Sequence, residues 1–282
     1  MKSVTVVGSD GFIGSAVVKI LRKNGYNPVT VTRNSKIENY DTDIIFYLAG
    51  STTPHNAKGD TEHVDFDLHS LIQFLNRLKN INTHPLFVFA SSAGTVYDSS
   101  GIQPYRESSL LSPVNLYGCS KLAQESVVRQ SDWVESLILR LSNIYGPNQK
   151  PKPGFGVIAH WAQKICSNES IEMMGNSGRD YLSIFDLAEI TLKIMNGYQS
   201  CYAGLTVNIG SGDTVTLSDL YEIFLKVADQ PIKVIKKSAR AFDARSVSID
   251  IALAKELFNW QPKISLEVGI KGVLEAAFAS KK

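Results

Sequence analysis

Residues 3–7 form a β-branched run that stops at Gly8, after which Phe12, Ile13, Ala16, Val17, Ile20 and Leu21 recur at helical spacing. The hydrophobic period therefore changes from strand to helix across a glycine turn. Gly25 ends this helix, 29–32 reads as a second strand, and the continuous apolar run 43–48 reads as a third. Over 64–78 a helical stripe (Leu68, Leu71, Ile72, Leu75, Leu78) precedes a strand at 86–90; a helix at 117–128 precedes a strand at 136–141. Residues 143–147 (NIYGP) read as a closing turn.

Uninterrupted apolar strands alternating with helices predict an α/β protein, with a doubly wound, Rossmann-like parallel sheet covered on both faces. The texture changes after residue 150. A Pro/Gly-rich loop at 150–156 leads to helices at 157–167 and 186–196, a short strand at 205–209, a helix at 217–228 and a basic strand at 233–236. Two terminal helices flank Trp260-Gln261-Pro262. The expected division is a sheet domain over 1–150, to which part of 182–212 returns, and a smaller α/β lobe over 151–282.

Composition narrows the function classes. With 44% apolar and 20% charged residues in 282, disorder, collagen and coiled coil are excluded. A formal charge of +2 is no electrostatic footprint for nucleic acid. Cys119, Cys166 and Cys201 are odd in number and share no metal-ligand spacing, so a reducing compartment and no metal are expected. No export signal and no apolar stretch of ~18 residues is present, which predicts a cytoplasmic protein that does not enter a membrane.

The first strand-to-helix turn reads Gly8-Ser-Asp10-Gly11-Phe12-Ile13-Gly14. Three glycines at this spacing let the backbone turn tightly, approach a pyrophosphate and pack helix on sheet, with the helix N-terminus facing the phosphates. Alone the spacing is weak evidence; at this position it marks a dinucleotide site. Where an acidic side chain would accept bonds from the adenosine ribose of NAD, the chain has Arg33 and Asn34. A guanidinium can instead pair with a 2′-phosphate, which favours NADP over NAD. Stacking on the adenine, or open solvent, are the other places for Arg33.

Tyr117 and Lys121 lie four apart in a predicted helix and therefore on one face. A tyrosine acting as acid or base near neutral pH needs its pKa lowered by roughly three units. An ammonium one turn away and a cofactor cation are the expected causes.

These residues carry a resemblance. GSDGFIG, Leu48-Ala49-Gly50, ASSAGTVY (90–97), YGCSK (117–121), LRLSNIYGP (139–147), GRDYLSIFDLA (178–188) and VNIGSG (207–212) occur in the order seen in extended short-chain dehydrogenases/reductases. The chain resembles their nucleotide-sugar epimerase, dehydratase and reductase branch from about residue 4 to 275. The resemblance implies that Tyr117 exchanges a proton with a sugar oxygen while hydride passes at the same carbon, and that Lys121 also holds the nicotinamide ribose. It places Leu48, Ala49 and Gly50 against the cofactor, and Asn143, Arg179 and Arg245 against the nucleotide sugar.

Two departures matter. The hydroxyl expected before the catalytic helix falls at Ala93, so Ser92 is taken as its replacement, with Thr95 or water as alternatives. Gly94 and Thr95 stand where dehydratases hold an Asp and a Glu, which disfavours dehydration. In addition, only residues 34–42 connect the second and third strands, where such enzymes insert another strand and helix. An open adenosine side suits a cofactor that exchanges. The implied function is reduction of a 4-keto group of a nucleotide-activated deoxysugar with NADPH. A 4-epimerase retaining NAD and a non-catalytic dinucleotide sensor are the alternatives. A homodimer is expected, with Leu71, Leu75, Leu122 and Val127 either at its interface or in the core.

Overall fold

Strand β1 (Val4–Val7) feeds through the glycine turn into α1 (Phe12–Lys23), and the chain returns as β2 (Val29–Val31) and β3 (Ile44–Tyr47). Helix α2 (Glu62–Arg77), β4 (Leu86–Ser92), the short α3 (Ala93–Val96), α4 (Leu116–Arg129) and β5 (Glu135–Leu141) follow. These elements belong to a computed structural model that describes residues 1–35, 40–58, 61–81, 83–197, 200–239 and 246–281.

The remaining elements are β6 (Asn143–Tyr145), α5 (Val157–Cys166), β7 (Ile171–Met174), β8 (Gly178–Arg179), β9 (Tyr181–Ser183) and α6 (Ile184–Gly197). After them come β10 (Leu205–Ile209), β11 (Val215–Thr216), α7 (Leu217–Val227), β12 (Val234–Lys237), α8 (Ala252–Phe258) and α9 (Leu266–Ala279).

Six strands form one parallel sheet in the order β2-β1-β3-β4-β5-β10. The register is set by pairs such as Val6 with Thr30 and Phe46, Phe46 with Val88, and Leu139 with Val207. Because side chains alternate along a strand, each apolar run supplies two cores. Val4, Val6, Ile44, Phe46 and Val88 meet Val17 and Leu21 of α1 and Ile190 and Ile194 of α6. Ile45, Tyr47, Phe87, Phe89 and Ile138 meet Leu71, Phe74 and Leu75 of α2. Leu71 and Leu75, at 0% and 1% exposure, therefore belong to the core and leave no surface for a partner. Leu122 and Val127 also pack against core clusters.

Residues 143–147 correct the turn expected there. Asn143–Tyr145 is the strand β6, which pairs in parallel with β9, outside the main sheet, and the sheet's sixth strand is β10. A third core, built from α5, α7, α9 and β7 around Trp161, Ile171, Phe224 and Ile270, lies beyond β6. The strands' C-terminal ends face the cleft between it and the sheet, where ligands of open α/β sheets bind.

Candidate active site

The glycine turn is fixed by sterics. Gly8 has φ +80°, and a Cβ there would sit 2.8 Å from the Ala49 nitrogen. A Cβ on Gly14 would lie 2.1 Å from the Gly8 carbonyl oxygen, so α1 rests directly on the turn. Gly11 is the N-cap of α1, with no side-chain cap and no acidic residue in the first turn. The first amides of a helix have no intrahelical acceptor, and here they open, with Gly11, Phe12 and Ile13, onto a cavity of about 680 Å³. That cradle fits a pyrophosphate. Gly14 does not line the cavity.

The floor of the cavity comes from β4 and α4. Asn115 caps α4, accepting a bond from the Gly118 amide at 2.9 Å. A Cβ on Gly118 would approach the Thr95 carbonyl oxygen to 2.4 Å, so the helix begins hard against the α3 turn. Tyr117 and Lys121 then share the cavity with Ser92 and Thr95. The Ser92 hydroxyl lies beside the Tyr117 phenol and favours its ionised form, and the Thr95 hydroxyl donates to Ser92 Oγ at 3.3 Å. Ala93 is 1% exposed and packs into the core with Val96 and Tyr97, so the hydroxyl beside the tyrosine is that of Ser92.

In the protein alone, without the cofactor cation expected to act with Lys121, burial sets the electrostatics of this pair. Tyr117 is pushed up to about 12: burial dominates, Asp67 adds to it, and only the Ser92 hydroxyl opposes them. Lys121 is held down to about 8 by the same desolvation, against the pull of Asp67 and Glu125. Its ammonium donates to the Ala90 carbonyl at 3.0 Å and lies 6.0 Å from the Tyr117 ring centre. Spacing along the helix gave the shared face; it could not give the loss of water, which acts on both groups.

Two buried carboxylates brace this floor. Asp67 of α2 accepts from the amides of Ser51 and Thr52 at 2.8–2.9 Å and from both hydroxyls at 2.6–2.8 Å. These bonds hold its carboxyl below the ordinary range although burial opposes them. Glu125, one turn after Lys121, accepts from Arg140 Nε at 3.0 Å and Nη2 at 2.8 Å and from Ser91 Oγ at 2.5 Å. Asp67, Thr52 and Asn115 were not singled out from the sequence. A carboxylate placed four residues before Leu71 in the apolar stripe of α2 was the available signal.

The other expected residues divide between two openings. Asn143 and Arg179 line the large cavity opposite the glycine turn, as does Phe155. The Asn143 side-chain amide donates to the Asp180 carbonyl at 3.0 Å, and Arg179 Nη1 donates to the Gly178 carbonyl at 2.8 Å. Gly8, Asp10, Arg33 and Asn34 line an adjoining recess of about 530 Å³; Gly11, Leu48, Ala49 and Gly50 border both. Arg33 lies over the Phe66 ring, 5.4 Å from its centre. Arg245 lies outside the described residues. Among the described residues no group of three or more His, Cys, Asp or Glu is placed to hold a metal, and no helix is long and apolar enough to cross a membrane.

Comparison with known proteins bears on the fold and the family. A candidate UDP-glucose 4-epimerase of Methanocaldococcus jannaschii is 28% identical over 96% of this chain and 97% of its own. The dTDP-4-dehydro-6-deoxyglucose reductase of Escherichia coli is 29% identical over 85% of this chain and 76% of its own. Among solved structures, the Thermotoga maritima UDP-glucose 4-epimerase with UDP-glucose superposes with a TM-score of 0.88 at 24% identity, covering 99% of this chain and 100% of that one. RMD of Pseudomonas aeruginosa, complexed with NADPH, gives a TM-score of 0.86 at 22% identity with 99% and 100% coverage. The solved structures share the Rossmann-type architecture described above, and an NAD(P)-dependent nucleotide-sugar enzyme is supported. The family model for NAD dependent epimerases and dehydratases matches residues 4–210, and the chain belongs to that family.

Proposed function

We propose that this protein is an NADPH-consuming reductase of a 4-keto group on a nucleotide-activated deoxysugar. The observation that carries this reading is Arg33, which stands just past the end of β2 in the adenosine recess, where NAD recognition calls for a carboxylate. When bound, NADPH supplies the hydride. The uncapped start of α1 would hold its pyrophosphate, and Leu48, Ala49 and Gly50 would wall its length.

Tyr117, pushed up to about 12, keeps its proton at neutral pH. The protonated phenol is the form that gives a proton to a developing alkoxide. Ser92, beside the phenol, would hold the same oxygen, and the Lys121 ammonium offsets the charge left on the phenolate after transfer. Gly94 and Thr95 border the cavity without a carboxylate, consistent with hydride transfer and no elimination of water. Asn143 and Arg179 face the substrate diphosphate. The relatives named as 4-epimerases favour a second reading, in which the same floor first oxidises carbon 4 with retained NAD.

Mixing the protein with NADPH and a 4-keto-6-deoxy nucleotide sugar, and separately with NAD and a 4-hydroxy nucleotide sugar, tests the choice. The proposal expects one NADPH consumed per sugar. Interconversion of 4-epimers without net change in the cofactor supports the second reading and removes the first.

A further inference from the structure

We propose that Phe66 is the platform on which the adenine ring of the dinucleotide stacks, a role that rests on the reading of this cleft as an adenine-dinucleotide site. Phe66 is a large aromatic side chain left 47% exposed on α2. It borders the same recess as Gly8, Thr32, Arg33 and Gly50. The buried side of α2 is made by Asp67, Leu71, Phe74 and Leu75, so the ring adds nothing to the core.

Its position is nevertheless rigid. The next residue, Asp67, is tied to the amides and hydroxyls of Ser51 and Thr52, on the loop that follows β3 and walls the cleft. The first turns of α2 are thereby held to the cofactor-facing loop, with the aromatic ring at the rim. Residues 32–43 connect β2 and β3, β2 is the sheet edge, and α2 brings the Phe66 ring to the recess beside it.

The cation already over the ring shows which chemistry the face accepts. Arg33 places its guanidinium carbon 5.4 Å from the ring centre, an exposed cation–π contact that is weak and readily displaced. A purine offers the ring a larger planar partner and leaves the guanidinium free to reach a 2′-phosphate at the rim. Phe66 then contributes to binding of any adenine nucleotide, while Arg33 distinguishes the phosphorylated ribose.

Calorimetric titration of the full chain with 5′-AMP, NADPH and nicotinamide mononucleotide tests this. Base–aromatic stacking predicts that Phe66→Ala weakens 5′-AMP and NADPH by one common factor of about tenfold or more. Nicotinamide mononucleotide binds unchanged, and Phe66→Trp keeps the original affinities. The melting temperature of ligand-free Phe66→Ala stays that of the parent. Unchanged 5′-AMP and NADPH binding in Phe66→Ala overturns the assignment, and so does an equal loss for the mononucleotide, which marks a general distortion of the cleft. A parent protein that binds neither 5′-AMP nor NADPH overturns the dinucleotide reading itself, a result separable from the first two.

Discussion

Replacing Lys121 by Met removes a charge that the fold keeps against its own stability. Burial lowers this ammonium from 10.5 to about 8, with a side chain only 9% exposed. At roughly 1.36 kcal/mol per pH unit, the shift corresponds to a penalty of about 3 kcal/mol. The unfolded chain binds the proton more tightly, so the penalty is fully present below pH 8 and fades as pH rises from about 8 towards 10.5. Loss of the bond to the Ala90 carbonyl offsets about 1 kcal/mol. Lys121→Met is therefore expected to be about 2 kcal/mol more stable at pH 7, with a melting temperature about 4 °C higher. Its advantage disappears at about pH 10 and reverses to a small deficit by about pH 10.5, and turnover is lost at every pH. Urea unfolding of both proteins at pH 7, 9 and 10.5 measures this, with slopes that should coincide. A variant less stable than the parent at pH 7, or a gain that does not change with pH, refutes the reasoning.

Arg140→Met should destabilise by about 2–3 kcal/mol, because it strips Glu125, at 0% exposure, of its bidentate partner and leaves it only Arg129 and the Ser91 hydroxyl. The deficit narrows in acid as the carboxyl takes up a proton, and an apolar replacement of both residues recovers most of it; denaturant midpoints across pH report both effects. Tyr117→Phe should abolish turnover while leaving dinucleotide affinity within about twofold, checked by titration against steady-state rates. Arg33→Asp should reverse the preference from NADPH to NADH by an order of magnitude or more, and equal affinities before and after contradict the 2′-phosphate role.

The strands were legible because each is buried on both faces, so β1, β3, β4 and β5 appear as unbroken apolar runs with helices between them. The pairing of β6 with β9 was not: strands of three residues carry too little pattern, and NIYGP has the composition of a turn. Tyr117, Lys121 and Ser92 could be brought together from spacing and resemblance. The direction of the Tyr117 shift could not, because it depends on how completely α3, α4 and β4 exclude water. Asp67 was hidden for a related reason. A carboxylate in an apolar helical stripe reads as a lapse in periodicity until the amides of Ser51 and Thr52, sixteen and fifteen residues earlier, are seen to satisfy it.

The account stands on hydride reaching a sugar carbon while Tyr117 gives a proton to the oxygen on that carbon. Supplying NADPH deuterated on its transferred position, with a 4-keto nucleotide sugar, and weighing the product by mass spectrometry tests this directly. The account predicts one deuterium at carbon 4 for each NADPH oxidised, and none with Tyr117→Phe. Product without the label, or full labelling by the phenylalanine variant, contradicts it.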